Sequence, residues 1–325
     1  YGYAGLAPDA VNPPLELAAE RVDDIQELPG TILGSSRGPV PAEAMLETLR
    51  NYGVKILFTV GGDGTLRGAS ALAAEIKRQK LSISVIGVPK TIDNDLNWLM
   101  RSFGFSTAVD AATRVLDAAH CEAKCAWNGI GLVKLMGRHS GFIAAHATVA
   151  SGIVNFCLVP EVPFSLEGKN GFLNVLEQRM QRKHHAVVVA AEGAGQDLIQ
   201  TGGPVERDAS GNVRFKDIGA FLKAEIEGHF ARRSIPVNVR YIDPSYTIRG
   251  LPASAVDAEF CVSLGQHAVH AGMSGRTDMV VGAWNQHYTH VPIKAVVESR
   301  KQIDTQSPIW QTVLNTTHQP ACMIG

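Results

Sequence analysis

The sequence predicts an α/β fold in which mostly parallel sheets are covered by helices on both faces. Three observations carry this. Short β-branched apolar runs alternate along the chain with longer helical patterns. The runs are continuous rather than alternating, as strands buried on both faces require. Several glycines stand where an apolar run stops and a helical one begins, the junction that α/β units repeat. In order, a helical pattern over 41–52 precedes the run Val54-Lys55-Ile56-Leu57-Phe58-Thr59-Val60, which stops at Gly61-Gly62-Asp63-Gly64-Thr65 and gives way to a helix over 66–80. A second strand, 83–88, ends at Pro89. A helix over 106–124 leads to strand 130–135, and strand 155–159 follows. Helix 171–183 precedes strand 186–190, and helix 219–231 precedes strand 237–242. Helix 255–271 and strand 279–283 close the series. The stretch 207–212, with Asp208-Ala209-Ser210-Gly211-Asn212, has the composition of a surface turn.

The chain has 325 residues, the length of two domains of roughly 150. No repeat, low-complexity tract or Pro/Ser-rich linker interrupts it, so the boundary between domains must be tight. Lys and Arg number 30 against 31 Asp and Glu, a formal net charge of −1. That balance excludes a general affinity for nucleic acid or acidic membranes, and any anion site must be local. A hydrophobic content of 45% supplies a full core, and no apolar run approaches the ~20 residues of a membrane span. Cysteines at 121, 125, 157, 261 and 322 are too few and scattered for a disulfide scaffold; their apolar neighbours read as reduced core thiols in a reducing compartment. The first residue is Tyr1 rather than Met, and the expectation is that the gene product begins upstream.

The turn Gly61-Gly62-Asp63-Gly64-Thr65 joins a strand to a helix, where backbone N–H groups and the helix dipole attract phosphate. Its glycines let the backbone approach an anion closely, and a carboxylate at Asp63 suits Mg²⁺ beside that phosphate. The alternative is a tight turn with Asp63 as helix N-cap. No G-x-x-x-x-G-K-[ST] pattern occurs, which excludes a P-loop enzyme. Gly34-Ser35-Ser36-Arg37-Gly38 matches the G-x-S-x-G nucleophile pattern, but its flanks make a poor strand; it reads as a polar loop with Arg37 available for phosphate.

After the second strand, Pro89-Lys90-Thr91-Ile92-Asp93-Asn94-Asp95 crowds two carboxylates, an amide, a hydroxyl and a lysine into one turn. Either Asp93 and Asp95 cap the turn and pair with Lys90, or one accepts the proton of an attacking hydroxyl. Consecutive strands deliver the glycine and acid turns, so the two can converge over one sheet edge. Arg138, just past strand 130–135, could bridge transferring phosphate oxygens or lie on the surface. His139 reads as solvated or structural, and Lys134 as an ordinary strand residue. His120, Cys121 and Cys125 supply too few ligands for a closed zinc site and read as packing.

Together these residues resemble a phosphofructokinase, through nearly the whole chain. The glycine turn alone is similar to turns of NAD kinases and lipid kinases. The specific signal is the order of Pro89–Asp95, Met136-Gly137-Arg138, Ala191-Glu192-Gly193 and Asp243-Pro244-Ser245-Tyr246-Thr247-Ile248-Arg249. The last resembles the plant- and trypanosomatid-like branch, where Tyr replaces the His of bacterial enzymes.

The resemblance implies two Rossmann-like three-layer domains, a nucleotide-binding one over 1–104 plus about 249–300 and a fructose-6-phosphate-binding one over 105–248 plus 301–325, with a cleft between them. It implies phosphoryl transfer from MgATP to the 1-hydroxyl of fructose 6-phosphate. Asp93 would be the general base, with Thr91 and Ile92 beside the reacting group, Asp63 holding Mg²⁺, Asp95 helping electrostatically and Arg138 stabilising the transferring phosphoryl. Met136, Gly137 and Glu192 would contact the sugar, and Tyr246, Thr247, Ile248 and Arg249 its 6-phosphate. Tyr3, Arg37, Gly38, Gly62, Gly64, Thr65 and Gly68 match positions around the nucleotide.

For the donor, Gly64 stands where pyrophosphate-using relatives carry Asp, leaving room for ATP, whereas Lys90 occupies a position that pyrophosphate enzymes also fill with Lys. The pairing resembles the ATP-using members of the plant-like branch. Pyrophosphate dependence is the alternative, and a non-catalytic binding relative is another. The family's first strand and its Gly-Gly-x-x-Pro-Gly-x-Asn turn would precede Tyr1, and the allosteric residues of bacterial relatives fall largely there, so none is carried over. Pro29 replaces a common glycine, and Gly129 stands where bacterial enzymes place an arginine that reaches a neighbouring subunit. A homo-tetramer in the cytoplasm is implied, with glycosome or plastid as alternatives, and no nucleic-acid or membrane partner.

Overall fold

The computed structural model describes residues 1–199, 207 and 213–325. Eight strands occur among them: β1 (Ile56–Gly61), β2 (Ser84–Pro89), β3 (Gly129–Leu135), β4 (Phe156–Leu158), β5 (His185–Ala191), β6 (Asn238–Ile242), β7 (Met279–Trp284) and β8 (His287–Pro292). The chain forms two compact units. One takes in Tyr1–Thr107 and Arg249–Lys301, the other 108–199, Phe215–Ile248 and Gln302–Gly325.

The first unit holds a sheet in the order β1-β2-β7-β8. β1, β2 and β7 run parallel, and β8 returns antiparallel to β7. Successive β2 residues face opposite sides, as the pleat dictates. Val85 packs with Leu66, Leu72 and Ile76 of the Asp63–Arg78 helix, while Ile86 and Val88 pack with Phe260, Leu264 and Ala268 of the Ala255–Met273 helix. Gly87 lets Leu66 lie against the strand, since a Cβ there would fall 2.8 Å from Leu66 Cδ2. β1 pairs with β2 from Ile56↔Ser84 to Gly61↔Pro89, so the two strands end level.

The second unit holds an all-parallel sheet in the order β4-β5-β3-β6. One face is covered by the Phe172–Lys183 and Ile218–Arg232 helices, whose Phe172, Leu176, Leu222, Ile226 and Phe230 pack on Ile130, Leu132 and Val188. Against β3 lies the Phe105–Cys125 helix, in direct contact with glycine: a Cβ on Gly129 would sit 2.1 Å from the Ala123 carbonyl oxygen, and one on Gly131 2.7 Å from that of Ala119. No side chain fits at Gly129 without moving that helix backbone.

Several elements depart from the sequence expectation. β8 pairs with β7 through Asn285 and Gln286, both at positive φ, as a tight hairpin requires. Its polar composition, His-Tyr-Thr-His, hides it. The Phe142–Ser151 helix is apolar nearly all round and buried, so it lacks the polar face on which helical periodicity depends. β1, expected to be buried, is an edge strand among the described residues and exposes Phe58 and Val60. Cys121, Cys125 and Cys322 are exposed, not core thiols; Cys157 alone is fully buried, and burial pushes its thiol up to about 12. Lys134 is not an ordinary strand residue, since its ammonium lies 2.7 Å from Asp243 and 3.4 Å from Asp217. The expected turn 208–212 lies outside the described residues.

Leu132 is fully enclosed in the second unit's core. Leu132→Ala should lower unfolding free energy by about 2–5 kcal/mol, read from denaturant melts of the two proteins.

Candidate active site

Level strand ends bring the glycine and acid turns together in the first unit. Lys90 N–H donates to the Gly61 carbonyl at 3.0 Å. A Cβ on Gly62 would meet the Lys90 carbonyl and Thr91 Cβ, each at 3.5 Å. The Asp63–Arg78 helix starts directly at the turn with Gly62 as N-cap, and no side chain caps it. The first N–H groups of this helix therefore have no intrahelical acceptors. Asp63 is the first helical residue rather than the cap, and its Oδ2 lies 3.0 Å from Arg67 Nε and 3.6 Å from Arg300 Nη2. A Cβ on Gly64 would meet no atom within 4 Å. Tyr3 closes the back of the turn: its hydroxyl donates to the Thr65 carbonyl, and its ring lies against Gly68. Burial raises the Tyr3 phenol well above its ordinary value. Arg37 and Gly38 belong to an exposed loop tied to the same N-terminal segment through Ser36 Oγ, which accepts from Ala4 N–H at 3.2 Å. No strand flanks Ser36, as a nucleophile elbow would need.

The acid turn is braced from below. Asn94, at φ 53°, accepts from Ser102 N–H at 3.1 Å, and Ser102 Oγ donates to the Thr91 carbonyl at 2.7 Å. Thr91 Oγ1 accepts from Asp93 N–H at 3.2 Å, and Ile92 rests against Gly104. This leaves Asp93 half-buried and Asp95 buried. Asp95 does not pair with Lys90; it takes Arg300 Nη1 at 2.6 Å. Although Lys90 is exposed along its length, desolvation of its ammonium lowers the pKa first, the Arg249 guanidinium adds to this, and Asp93 opposes both. Arg249 thus belongs electrostatically with the first unit's turns.

In the second unit, the turn after β3 is clasped by the turn after β5. The Leu135 and Gly137 carbonyls accept from Glu192 and Gly193 N–H at 2.8 and 3.0 Å. Gly137 sits at φ 135°, open to few residues but glycine, and a Cβ on Gly193 would fall 2.0 Å from the Arg138 carbonyl oxygen. Met136, Arg138 and Glu192 are thereby gathered at the carboxyl ends of β3 and β5. The Arg138 guanidinium lies 5.2 Å from the Phe215 ring centroid, and His139 packs edge-on against the same ring. Tyr246, Thr247 and Ile248 occupy a 3-10 helix, Ser245–Arg249, held locally by Thr247 Oγ1 to Pro244 O and by Asp243 to Ser245. Tyr246 is exposed and Ile248 is buried.

Three contributors escaped sequence reasoning. Arg300 and Lys301 follow a bridge of Arg300 to Leu96, far along the chain from the carboxylates they serve. Glu161 accepts from Gly141 N–H at 3.0 Å and Ile303 N–H at 2.9 Å and so fixes the segment after Arg138. None lies in a glycine-rich or acid-rich motif, and no local signal marks them.

Two measurements probe these supports. Gly193→Ala should lower the melting temperature by several degrees, since the Arg138 carbonyl must move, whereas Gly64→Ala should leave it within about 2 °C of the parent. Burial depresses the Lys301 ammonium to about 8, with Asp95 opposing. Between that value and 10.5 the unfolded chain binds the additional proton, so this group favours folding increasingly as pH rises through the window. Chemical denaturation from pH 8 to 10 should show a shallower rise, or a steeper fall, for Lys301→Met than for the parent.

The phosphofructokinase family model matches residues 1–272. An ATP-dependent 6-phosphofructokinase of Borreliella burgdorferi is 45% identical over 99% of this chain and 73% of its own length. One from Amycolatopsis methanolica is 48% identical over 94% of the chain and 68% of its own length. One from Trypanosoma brucei brucei is 46% identical over 98% and 65%. Among solved structures, a pyrophosphate-dependent phosphofructokinase from Marinobacter aquaeolei superposes with a TM-score of 0.72 at 23% identity, covering 92% of this chain and 75% of that one, a likeness of fold. Family-model coverage and relatives at this identity, on a chain whose glycine and acid turns meet at level strand ends, place this protein in the phosphofructokinase family.

Proposed function

We propose that this chain transfers a phosphoryl group from ATP to the 1-hydroxyl of fructose 6-phosphate, giving fructose 1,6-bisphosphate and ADP. The observation that carries the reading is the contact between the Gly61–Thr65 turn and the Lys90–Asp95 turn: it sets a phosphate cradle beside a half-buried carboxylate. Relatives of 45% and 48% identity named ATP-dependent 6-phosphofructokinase support the substrate pair.

In this reading the first unit, with Tyr3, Arg37, Gly38, Gly62, Gly64, Thr65 and Gly68, takes the nucleotide. Asp93 accepts the hydroxyl proton, and Thr91 and Ile92 shape the turn that aims it. Arg138 answers the charge spread over the transferring oxygens. Met136, Gly137 and Glu192 contact the sugar, Glu192 as a hydroxyl acceptor, while Tyr246, Thr247, Ile248 and Arg249 hold the 6-phosphate, Arg249 with a fixed charge. Asp63 fits Mg²⁺: one carboxylate at a helix start beside donor phosphates is the sparse set this ion favours, the phosphates and water completing its shell. When bound, the ion neutralises charge on the donor phosphates.

The protein leaves open space at Gly64, so its backbone makes no demand for glycine there. The reading ascribes that glycine to the donor, because an Asp in its place would oppose the α-phosphate of ATP. Lys90, at a position that resembles the one pyrophosphate enzymes fill with Lys, favours a second reading, pyrophosphate as donor. Among the described residues no helix is long and apolar enough to cross a membrane. A homo-oligomer, tetrameric by the family pattern, and a cytoplasmic site of action, with glycosome or plastid as the other settings, complete the proposal.

The test is fructose 6-phosphate phosphorylation by the full-length protein with ATP and pyrophosphate in parallel. ATP should support turnover, and Asp93→Asn should lower kcat by about 10²–10⁴ while sugar binding persists. Turnover with pyrophosphate alone would overturn the donor assignment, and an unchanged kcat in the variant would remove Asp93 from its role.

A further inference from the structure

Asp63 and Asp95 lie on different turns, yet one guanidinium serves both. Arg300 Nη1 lies 2.6 Å from Asp95 Oδ2, and its Nη2 lies 3.6 Å from Asp63 Oδ2. The span is fixed from both ends. Asp95 is buried, with a side chain 5% exposed, so its charge needs a near partner. The backbone repeats the tie: Arg300 bridges Leu96, and Lys301 N–H donates to the Asp95 carbonyl at 2.8 Å. Lys301 Nζ donates to the Leu99 and Met100 carbonyls and closes the same loop. The same Asp63 oxygen, Oδ2, also takes Arg67 Nε at 3.0 Å, and Arg67 Nη2 in turn donates to the Val297 carbonyl.

We infer that Arg300 is a positioning residue for the phosphoryl-transfer site: anchored on Asp95, it sets the Asp63 carboxylate beside the glycine turn and fixes the loop that carries Asp93. The inference rests on the reading given above and goes beyond it, because it gives Asp95 a structural task in place of the electrostatic help to transfer that the family resemblance implies. The Asp95 charge is committed to orienting Arg300. A planar guanidinium offers donors in a fixed fork and can serve two carboxylates at once; an ammonium is a point charge and cannot span them in the same way.

The test uses full-length protein with Arg300→Met, Arg300→Lys, Asp95→Asn and the Asp95→Asn/Arg300→Met double variant, which leaves no buried charge unpaired. A displacement of about 1 Å costs roughly a hundred-fold in rate, so Arg300→Met should lose about 10- to 100-fold in kcat, with KM for fructose 6-phosphate within about two-fold. Arg300→Lys should recover only part of the loss. The double variant should lose no more than the worse single one, since both act through one contact. The second readout is thermal: the extra stabilisation by MgATP over ATP with EDTA should shrink in Arg300→Met. An unchanged increment or an unchanged kcat overturns the inference. A larger increment also overturns it, by showing that the guanidinium competes with the metal rather than orienting its ligand. If the parent protein itself shows neither turnover nor a metal-dependent increment, it is the underlying reading that fails.

Discussion

The pairing of β1 with β2, level to the last residue at Gly61↔Pro89, is the constraint on which the candidate site depends. Parallel neighbours that end together release their chains at one height, so the turns that follow have to lie side by side. The Lys90-to-Gly61 hydrogen bond extends the ladder one step beyond the strands and draws the acid turn against the glycine turn. A shift of register by one residue would turn every side chain of β2 to the other face. Val85 would then leave the cluster it shares with Leu66 and Leu72, and Ile86 the one it shares with Phe260 and Leu264. The two hydrophobic faces of one strand thus guard the alignment of two polar turns.

The second unit solves a similar problem with glycine. Its turns after β3 and β5 approach so closely that Gly193 lies where any Cβ would strike the Arg138 carbonyl, and Gly137 takes a positive φ. Below them Gly129 and Gly131 let a helix backbone rest on the central strand. Close packing beneath the turn holds the backbone on which Met136 and Arg138 are mounted.

Much of this was legible in the sequence, because strand-to-helix turns announce themselves by composition. The runs around 54–60, 83–88, 130–135 and 186–190 became strands, and Asp63, Asp93, Arg138 and Glu192 emerged at their carboxyl ends. What stayed hidden depends on distance along the chain or on the absence of contrast. Arg300 is an ordinary charged residue until folding brings it to Asp95, 205 positions away. The Phe142–Ser151 helix has no polar face to betray its period, and β8 carries polar residues on an outer strand. Cys121 and Cys125 misled in the opposite sense: their helix buries Leu116, Ala119 and Ala123, but these two positions fall on its outer side.

A near-neutral chain also takes on a different meaning once its charges are placed. Desolvation and the nearby Arg249 guanidinium make Lys90 costlier to ionise, while Asp93 makes it easier. Two cations held near one another and partly desolvated carry unfavourable energy that an anion with two or more negative charges offsets. Nearby, Asp63 shares its charge with Arg67 and Arg300, and Asp95 with Arg300. The first unit therefore separates its charges into a cationic side at Lys90 and Arg249 and a carboxylate pair held by guanidinium. In the reading proposed above, a phosphate group would suit the former, and an ion at Asp63 would lie beside cations already in place. That arrangement would favour an ion that arrives already paired with phosphate oxygens, because its charge would then be largely neutralised before it approached Arg67 and Arg300.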